Sequence, residues 1–331
     1  MIPLVVRSHC SLMWGTSAPE DVAVAARQHG YRRIALTDTD NLYGLWPFLQ
    51  ACREQDITPI VGAELTEPGS QRRMVCLVEN DDGYRNLCRL ITRRHCQKDF
   101  TLERDVPALS RGLYVLAPGA ELLAPLHEAG VAVAAALPRR PSQSAAKART
   151  EARRLGVPAM AVPSSFFLVP DDHAVHRLLR AIARNTSFSR LKSDEVAPAD
   201  AWLAPPGHYE RRFEVWPETL AASDELAERL TFTDPKLGLV MPPWTDPEGL
   251  PSCEVLRERC YVGARKRYGS ELHETVVDRI EYELATIERM GFSTYFLVVE
   301  EIVKRSPRIC GRGSGAASIV AYSLGITNVC R

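Results

Sequence analysis

Short apolar runs recur along the first half of the chain, each followed by a longer stretch with helical spacing. The runs lie at residues 4–6, 34–37, 59–63, 74–78, 113–117, 131–135 and 157–162. Between and after them, apolar positions three and four apart predict helices over 18–29, 45–55, 83–94, 121–128, 142–155 and 171–183. Ser17-x-x-Glu20 reads as a capping box opening the first helix, and Gly30 as its stop. Repeated βα units of this length imply a parallel sheet sheathed by helices, open or closed into a barrel. From 185 to 251 nine prolines break the pattern, which reads as the periphery of the first domain running into a linker. Beyond Ser252 the chain turns helical. Val277, Ile280, Leu284 and Ile287 form one apolar stripe, Gly291 ends that helix, and a second runs over 294–305.

Length and charge narrow the function only by exclusion. The 331 residues suffice for one large domain plus a smaller one, and 45% apolar with 25% charged residues is ordinary for a globular protein. Lys plus Arg and Asp plus Glu both number 41, so any attraction for nucleic acid must come from local patches. Nine cysteines, an odd number without Cys-x-x-Cys, argue against a disulfide framework and a zinc ribbon, and fit a reducing cytoplasm. The apolar start is too short for a signal peptide, and the longest apolar run, 129–137, is broken by a glycine. No membrane role is expected.

The densest chemical signal is Cys310-Gly-Arg-Gly-Ser-Gly-Ala-Ala-Ser318. Gly311, Gly313 and Gly315 allow unusual backbone angles and close approach of a ligand, while Ser314 is a candidate helix cap. A loop entering a helix offers free N–H groups to an anion, and Arg312 adds a guanidinium. No Lys-Ser/Thr follows, so this is no P-loop. A dinucleotide site would need an acidic residue about 20 positions further on. Three basic groups could meet a phosphate backbone or be solvated helix faces: Arg85, Arg89 and Arg93, with Arg94 and Lys98 close by; Arg139, Arg140, Lys147, Arg149, Arg153 and Arg154; and the stretch from Arg257 to Arg267, which holds Arg265, Lys266 and Arg267 and is interleaved with Glu254 and Glu258. His173 and His176 lie one turn apart without a supporting carboxylate or cysteine motif, so a zinc role is not expected.

The run from Gly311 to Tyr322, continued by Leu324-Gly-Ile-Thr327, closely resembles the start of the palm in bacterial DNA polymerase III alpha subunits, the C-family replicases. Arg279–Leu284, Met290–Phe292, Tyr295–Leu297, Ala35–Asp38, Asn41–Gly44, Pro59–Glu64 and Gly83–Ile91 match the same family in the same order. The resemblance implies a distorted seven-stranded (βα) barrel of the polymerase-and-histidinol-phosphatase (PHP) type over 1–250, then a mainly helical partial palm over 251–331. It favours the error-prone, translesion-associated branch. It also implies nucleotide phosphates at Gly311, Arg312, Gly313, Ser314 and Ser318, with DNA, dNTP, further polymerase segments and replication proteins as partners of the full-length enzyme. The family's palm carboxylates and their Mg²⁺ lie downstream of the loop. This chain alone is therefore expected to hold no cofactor and to be inactive as a polymerase.

In the family the barrel mouth carries histidines and carboxylates that bind up to three metals for phosphoester hydrolysis. Those positions fall here on Val5, Arg7, Trp14, Thr39, Arg73, Ser164 and Phe166; only Asp38, Asp40 and Glu64 keep carboxylates. Arg7 and Arg73 are expected to pair with those carboxylates and turn the barrel into a scaffold. The alternatives are a residual Mg²⁺-dependent phosphoesterase or 3′–5′ exonuclease on the three carboxylates, or a free-standing module that docks on replication proteins.

Overall fold

The computed structural model describes all residues except 139–141, 236, 237, 239, 330 and 331. The chain divides into two compact units, Met1–Pro235 and Lys236–Arg331.

The first unit opens with β1 (Val5–Val6), α1 (Pro19–Gln28), β2 (Arg33–Leu36), α2 (Leu45–Glu54) and β3 (Thr58–Thr66). It continues through β4 (Arg73–Val78), α3 (Asp81–Cys96), α4 (Leu102–Asp105), β5 (Leu113–Ala117), α5 (Ala120–Glu128), β6 (Val133–Leu137) and α6 (Gln143–Leu155). It closes with β7 (Ala159–Ala161), β8 (Ser164–Ser165), α7 (Asp172–Ala183), α8 (Pro206–Arg212) and α9 (Pro217–Arg229). Strands β2 to β7 pair in chain order, and β1 pairs in parallel with β8. Amide bonds from Ala35 to the Pro3 carbonyl (3.0 Å) and from Thr37 to the Val6 carbonyl (2.8 Å) tie β1 to β2 as well. With β7 and β8 taken as one interrupted strand, the sheet curls through the seven strands expected of the barrel. It is not wholly parallel, because β4 runs antiparallel to β3 and β5. Only residues 67–72 join β3 to β4, too few for a helical crossover.

Strand alternation explains the apolar runs. Val5, Ala35, Ile60, Val75, Leu77, Tyr114, Leu116, Ala134, Ala136 and Met160 share one inner cluster. Their neighbours Ile34, Leu36, Val61, Cys76, Val115, Val133 and Ala135 belong to the outer cluster under the helices. Both faces are buried, so each strand reads as continuous rather than alternating.

Two local expectations are corrected. Helix α1 begins at Pro19 with Ala18 as N-cap and no side-chain cap bond, so Ser17 and Glu20 form no capping box. Proline at the first helical position already presets φ and leaves one fewer N–H to satisfy. The proline-rich stretch is not all periphery either. Leu226 and Ala227 of α9, with Leu230, complete the inner cluster, and the Ser223 hydroxyl donates to the Ala161 carbonyl at 2.7 Å. Two of its prolines stand at helix starts: Pro206 opens α8 and Pro217 opens α9.

The second unit comprises α10 (Ser252–Tyr268), α11 (Glu274–Arg289), α12 (Ser293–Lys304) and α13 (Ile319–Ser323). Leu256, Cys260, Ile280, Leu284, Ile287, Leu297 and Val320 form its core. Gly263 lets α10 and α13 meet at backbone distance: a Cβ there would lie 1.9 Å from the Ser323 carbonyl oxygen.

Candidate functional site: the barrel mouth and the glycine loop

Strand β3 outruns β2, so Glu64 lies beside Thr39 just past the end of β2. The Glu64 carboxylate is buried and held by three groups. Arg7 approaches it through both Nη2 and Nε, the latter at 3.3 Å; Thr39 Oγ1 donates at 2.9 Å; Arg73 Nη1 stands at 3.6 Å. Burial alone would raise the Glu64 pKa. The charges of Arg7 and Arg73, with the Arg7 and Thr39 hydrogen bonds, outweigh it and hold the group below the ordinary carboxylate range. Arg7 is itself buried, with its guanidinium 4.3 Å from the centre of the Phe166 ring. Its third nitrogen, Nη1, is buried without a hydrogen-bond partner.

Two more of the positions where the family implies ligands, Trp14 and Phe166, are aromatic and pack together. Trp14 and Phe166 pack at 5.6 Å, and both touch His176 of α7. Arg180 lies 3.6 Å over the Trp14 ring and Arg73 5.8 Å from it. The buried His176 ring donates from Nδ1 to the Trp14 carbonyl at 2.7 Å, while Nε2 accepts from the Ala197 amide at 2.8 Å. That pairing requires the neutral imidazole. Burial first, then Arg180 and His173, lower its pKa to about 4. With both nitrogens engaged, His176 has none to share with His173 in a metal pair, although the rings stack at 6.3 Å.

The three retained carboxylates do not converge. Asp38 is buried and accepts from the Ser8 amide (2.8 Å) and from the Ser8 (2.7 Å) and Ser11 (2.6 Å) hydroxyls. Asp40 accepts from the Thr66 amide and hydroxyl and meets Arg94 at 3.3 Å. The expected pairing of Arg7 and Arg73 is thus seen at Glu64 alone. Sequence reasoning missed Ser8, Ser11 and Arg180, and had Arg94 only as a neighbour of the basic stripe, not as the partner of Asp40.

In the second unit, Gly313 has φ +77° and Gly311 packs where a Cβ would lie 2.7 Å from the Thr327 hydroxyl. Gly315 has neither constraint. Ser314 opens a short 3-10 turn, and the N-cap of α13 is Ser318, which corrects the expected cap. Ser318 Oγ accepts from the Ala321 amide at 3.1 Å and donates to Glu283 at 2.7 Å; Glu283 also accepts from the Val320 amide at 3.3 Å. A carboxylate, itself paired with Arg279 at 2.8 Å, therefore already stands at the start of α13. Arg312 is exposed, with no partner among the described residues.

Comparison with known proteins settles which domains these are. Residues 3–157 match the PHP domain, and residues 254–331 match the bacterial DNA polymerase III alpha NTPase domain. The chain joins a PHP domain to a polymerase III alpha NTPase-domain segment. Relatives align along nearly all of it. An error-prone DNA polymerase of Symbiobacterium thermophilum is 30% identical, covering 99% of this chain and 34% of that protein. One from Mesorhizobium japonicum is 32% identical (98% and 31% covered), and the DNA polymerase III subunit alpha of Bacillus subtilis is 28% identical (99% and 32%). The chain spans about a third of the length of these relatives.

The donors in this PHP domain do not fit the metal cluster the family implies. The mouth offers one central carboxylate, already neutralised by guanidinium, among aromatic rings, and a buried orphan donor rather than an orphan acceptor. Among the described residues no three His, Cys, Asp or Glu side chains are grouped to hold a metal ion. On α3, Arg85 pairs with Asp82 and Arg93 with Asp105, while the exposed Arg89 makes no ion pair among the described residues. Arg139 and Arg140 fall outside the described residues, and Arg149 and Arg154 pair with Glu218 and Glu151. In the NTPase segment Arg265, Lys266 and Arg267 are exposed and make no ion pair with a described carboxylate. Arg267 lies 4.5 Å over the Tyr322 ring and bonds Asn328 at 3.1 Å. No helix among the described residues is long and apolar enough to cross a membrane.

Proposed function

We propose that this chain is the N-terminal portion of an error-prone, polymerase III alpha-type DNA polymerase of the cytoplasm, acting in DNA replication and repair. Its PHP barrel is a scaffold rather than a hydrolase. The observation that carries this reading is the seating of Arg7 and Arg73 on Glu64. Guanidinium charge stands where bridging metals would have to generate hydroxide and bind phosphate. Three dispersed carboxylates, each saturated by hydrogen bonds or cations, leave no open coordination for that chemistry.

In the whole polymerase, Gly311 to Ser314 with the free Arg312 side chain would meet the nucleotide triphosphate. Ser318 acts there as the loop's anchor to Glu283 rather than as a phosphate ligand. Arg265, Lys266 and Arg267 are the stronger candidates for DNA backbone contact, since Arg85 and Arg93 are already neutralised. DNA and dNTP are thus partners of the full-length enzyme, with catalytic Mg²⁺ supplied by segments beyond this chain.

A phosphodiesterase assay on a 3′-labelled oligonucleotide with Mg²⁺, Mn²⁺ or Zn²⁺ tests the scaffold. No turnover is expected from the wild-type chain. Turnover that survives repurification and vanishes in Glu64→Ala would sink the reading.

A further inference from the structure

Helix α7 is held by one face and bare on the other. On the inner face His176, Arg180 and Ala181 are buried. The first two are spent on the carbonyls of Trp14, Met13 and Glu195, with Arg180 over the Trp14 ring. On the outer face Val175, Leu178 and Ile182 recur at the spacing of a single helical stripe, yet they are 47%, 46% and 56% exposed. Ala174 and Ala183, exposed at the margins of the stripe, are small enough to let a second backbone come close. Single apolar side chains at a surface need no explanation. Three in register on one helix mark a contact surface.

The two ends of α7 differ in charge. Asp171 and Asp172 stand at its N-terminus with no ion pair among the described residues. Past its C-terminus come Arg184, Arg190 and Lys192, against Asp194 and Glu195. Glu195 meets Arg184 at 3.1 Å, which leaves Arg190 and Lys192 without an ion pair among the described residues. The stripe also reads nearly the same in both directions. About a point between Leu178 and Leu179, Val175 stands opposite Ile182, and the acidic end stands opposite the basic one. A second copy turned through a two-fold axis there supplies every complement at once. It lays stripe on stripe, sets each acidic end beside a basic end, and runs the two helix dipoles in opposite directions.

We propose that the outer face of α7 is a self-association surface, on which two copies of this chain pair antiparallel about a two-fold axis at Leu178. The apolar stripe and its margins offer less than the roughly 800 Å² per partner of a standard interface, so the affinity is expected to be micromolar rather than nanomolar. His176 and Arg180 lie on the opposite face of the helix and keep their partners in the pair. The proposal does not depend on whether the barrel is a scaffold.

Sedimentation equilibrium of the whole chain, over roughly 1–300 μM to bracket such an affinity, is the test. The average mass should rise from one chain, 36.8 kDa, towards two and level off there. Leu178→Glu sets two carboxylates against each other at the axis and should hold the chain monomeric throughout. Val262→Glu, at a valine of similar exposure (45%) on α10, should dimerise as the wild type does. Circular dichroism will check that both variants are folded. Under mild oxidation Leu178→Cys should yield a disulfide joining position 178 of one copy to position 178 of the other, read by peptide mass mapping. A monomer at every concentration overturns the proposal, as does a dimer that survives Leu178→Glu. Equal loss in both glutamate variants would trace association to net charge, and mass climbing past two chains would reveal unspecific adhesion; either outcome overturns it too. Cross-links formed only through other cysteines would place the interface elsewhere and do the same.

Discussion

At the residue scale, the Arg7–Glu64 contact behaves as one unit. Each partner is almost wholly buried, so removing either leaves a charge with nowhere to go. Glu64→Ala is expected to cost about 3–5 kcal/mol in denaturant unfolding, whereas the double change Arg7→Met with Glu64→Leu should recover most of that loss. A double variant no more stable than Glu64→Ala would show that the cost is packing rather than charge. His176 sets the acid limit of the same region. Its folded pKa of about 4 lies below the ordinary 6.5, so between these values the unfolded chain binds the proton and the folded chain resists it. Stability should therefore fall as pH drops from about 6.5 to 4, by at most about 3 kcal/mol. Thermal unfolding across that range reads the slope, which His176→Asn should flatten. The sequence set Arg7 and Arg73 against Asp38, Asp40 and Glu64, because charge opposite charge is visible by type, but it did not single out Glu64. It could not disclose Arg180 or the role of His176, since their partners are the carbonyls of Met13 and Trp14, and any residue supplies a carbonyl.

At the element scale, β1 to β7 were placed to within about three residues because both of their faces are buried, while the two-residue β8 was not read. The misreadings fell where backbone connectivity, not hydrophobicity, decides. The six residues before Arg73 reverse β4, and Ser318 rather than Ser314 caps α13 because the intervening residues turn as a 3-10 segment. Helix α9 was hidden by the prolines around it, although it fills the inner core. Leu226→Ala should cost about 2–5 kcal/mol, as a fully buried leucine does, in chemical denaturation of the first unit. A value near zero would mean that α9 merely covers the barrel. In the second unit, Gly263→Ala must push α10 off the Ser323 carbonyl and should lower the melting temperature. The basic faces divide in the same way. Lys266→Gln with Arg267→Gln should weaken binding to duplex DNA and flatten its salt dependence, while Arg85→Gln with Arg93→Gln should change little.

At the scale of the whole molecule, the chain couples a PHP domain without a fitting metal-donor set to a polymerase segment whose glycine loop is pinned by Glu283. On the scaffold reading proposed above, guanidinium groups rather than metals neutralise the barrel mouth. Metal analysis of protein purified without chelator addresses it most directly, paired with thermal unfolding before and after EDTA. Well under one transition-metal ion per chain and an unchanged unfolding midpoint are expected. Two or more tightly held ions per chain, whose removal lowers the midpoint, would contradict it.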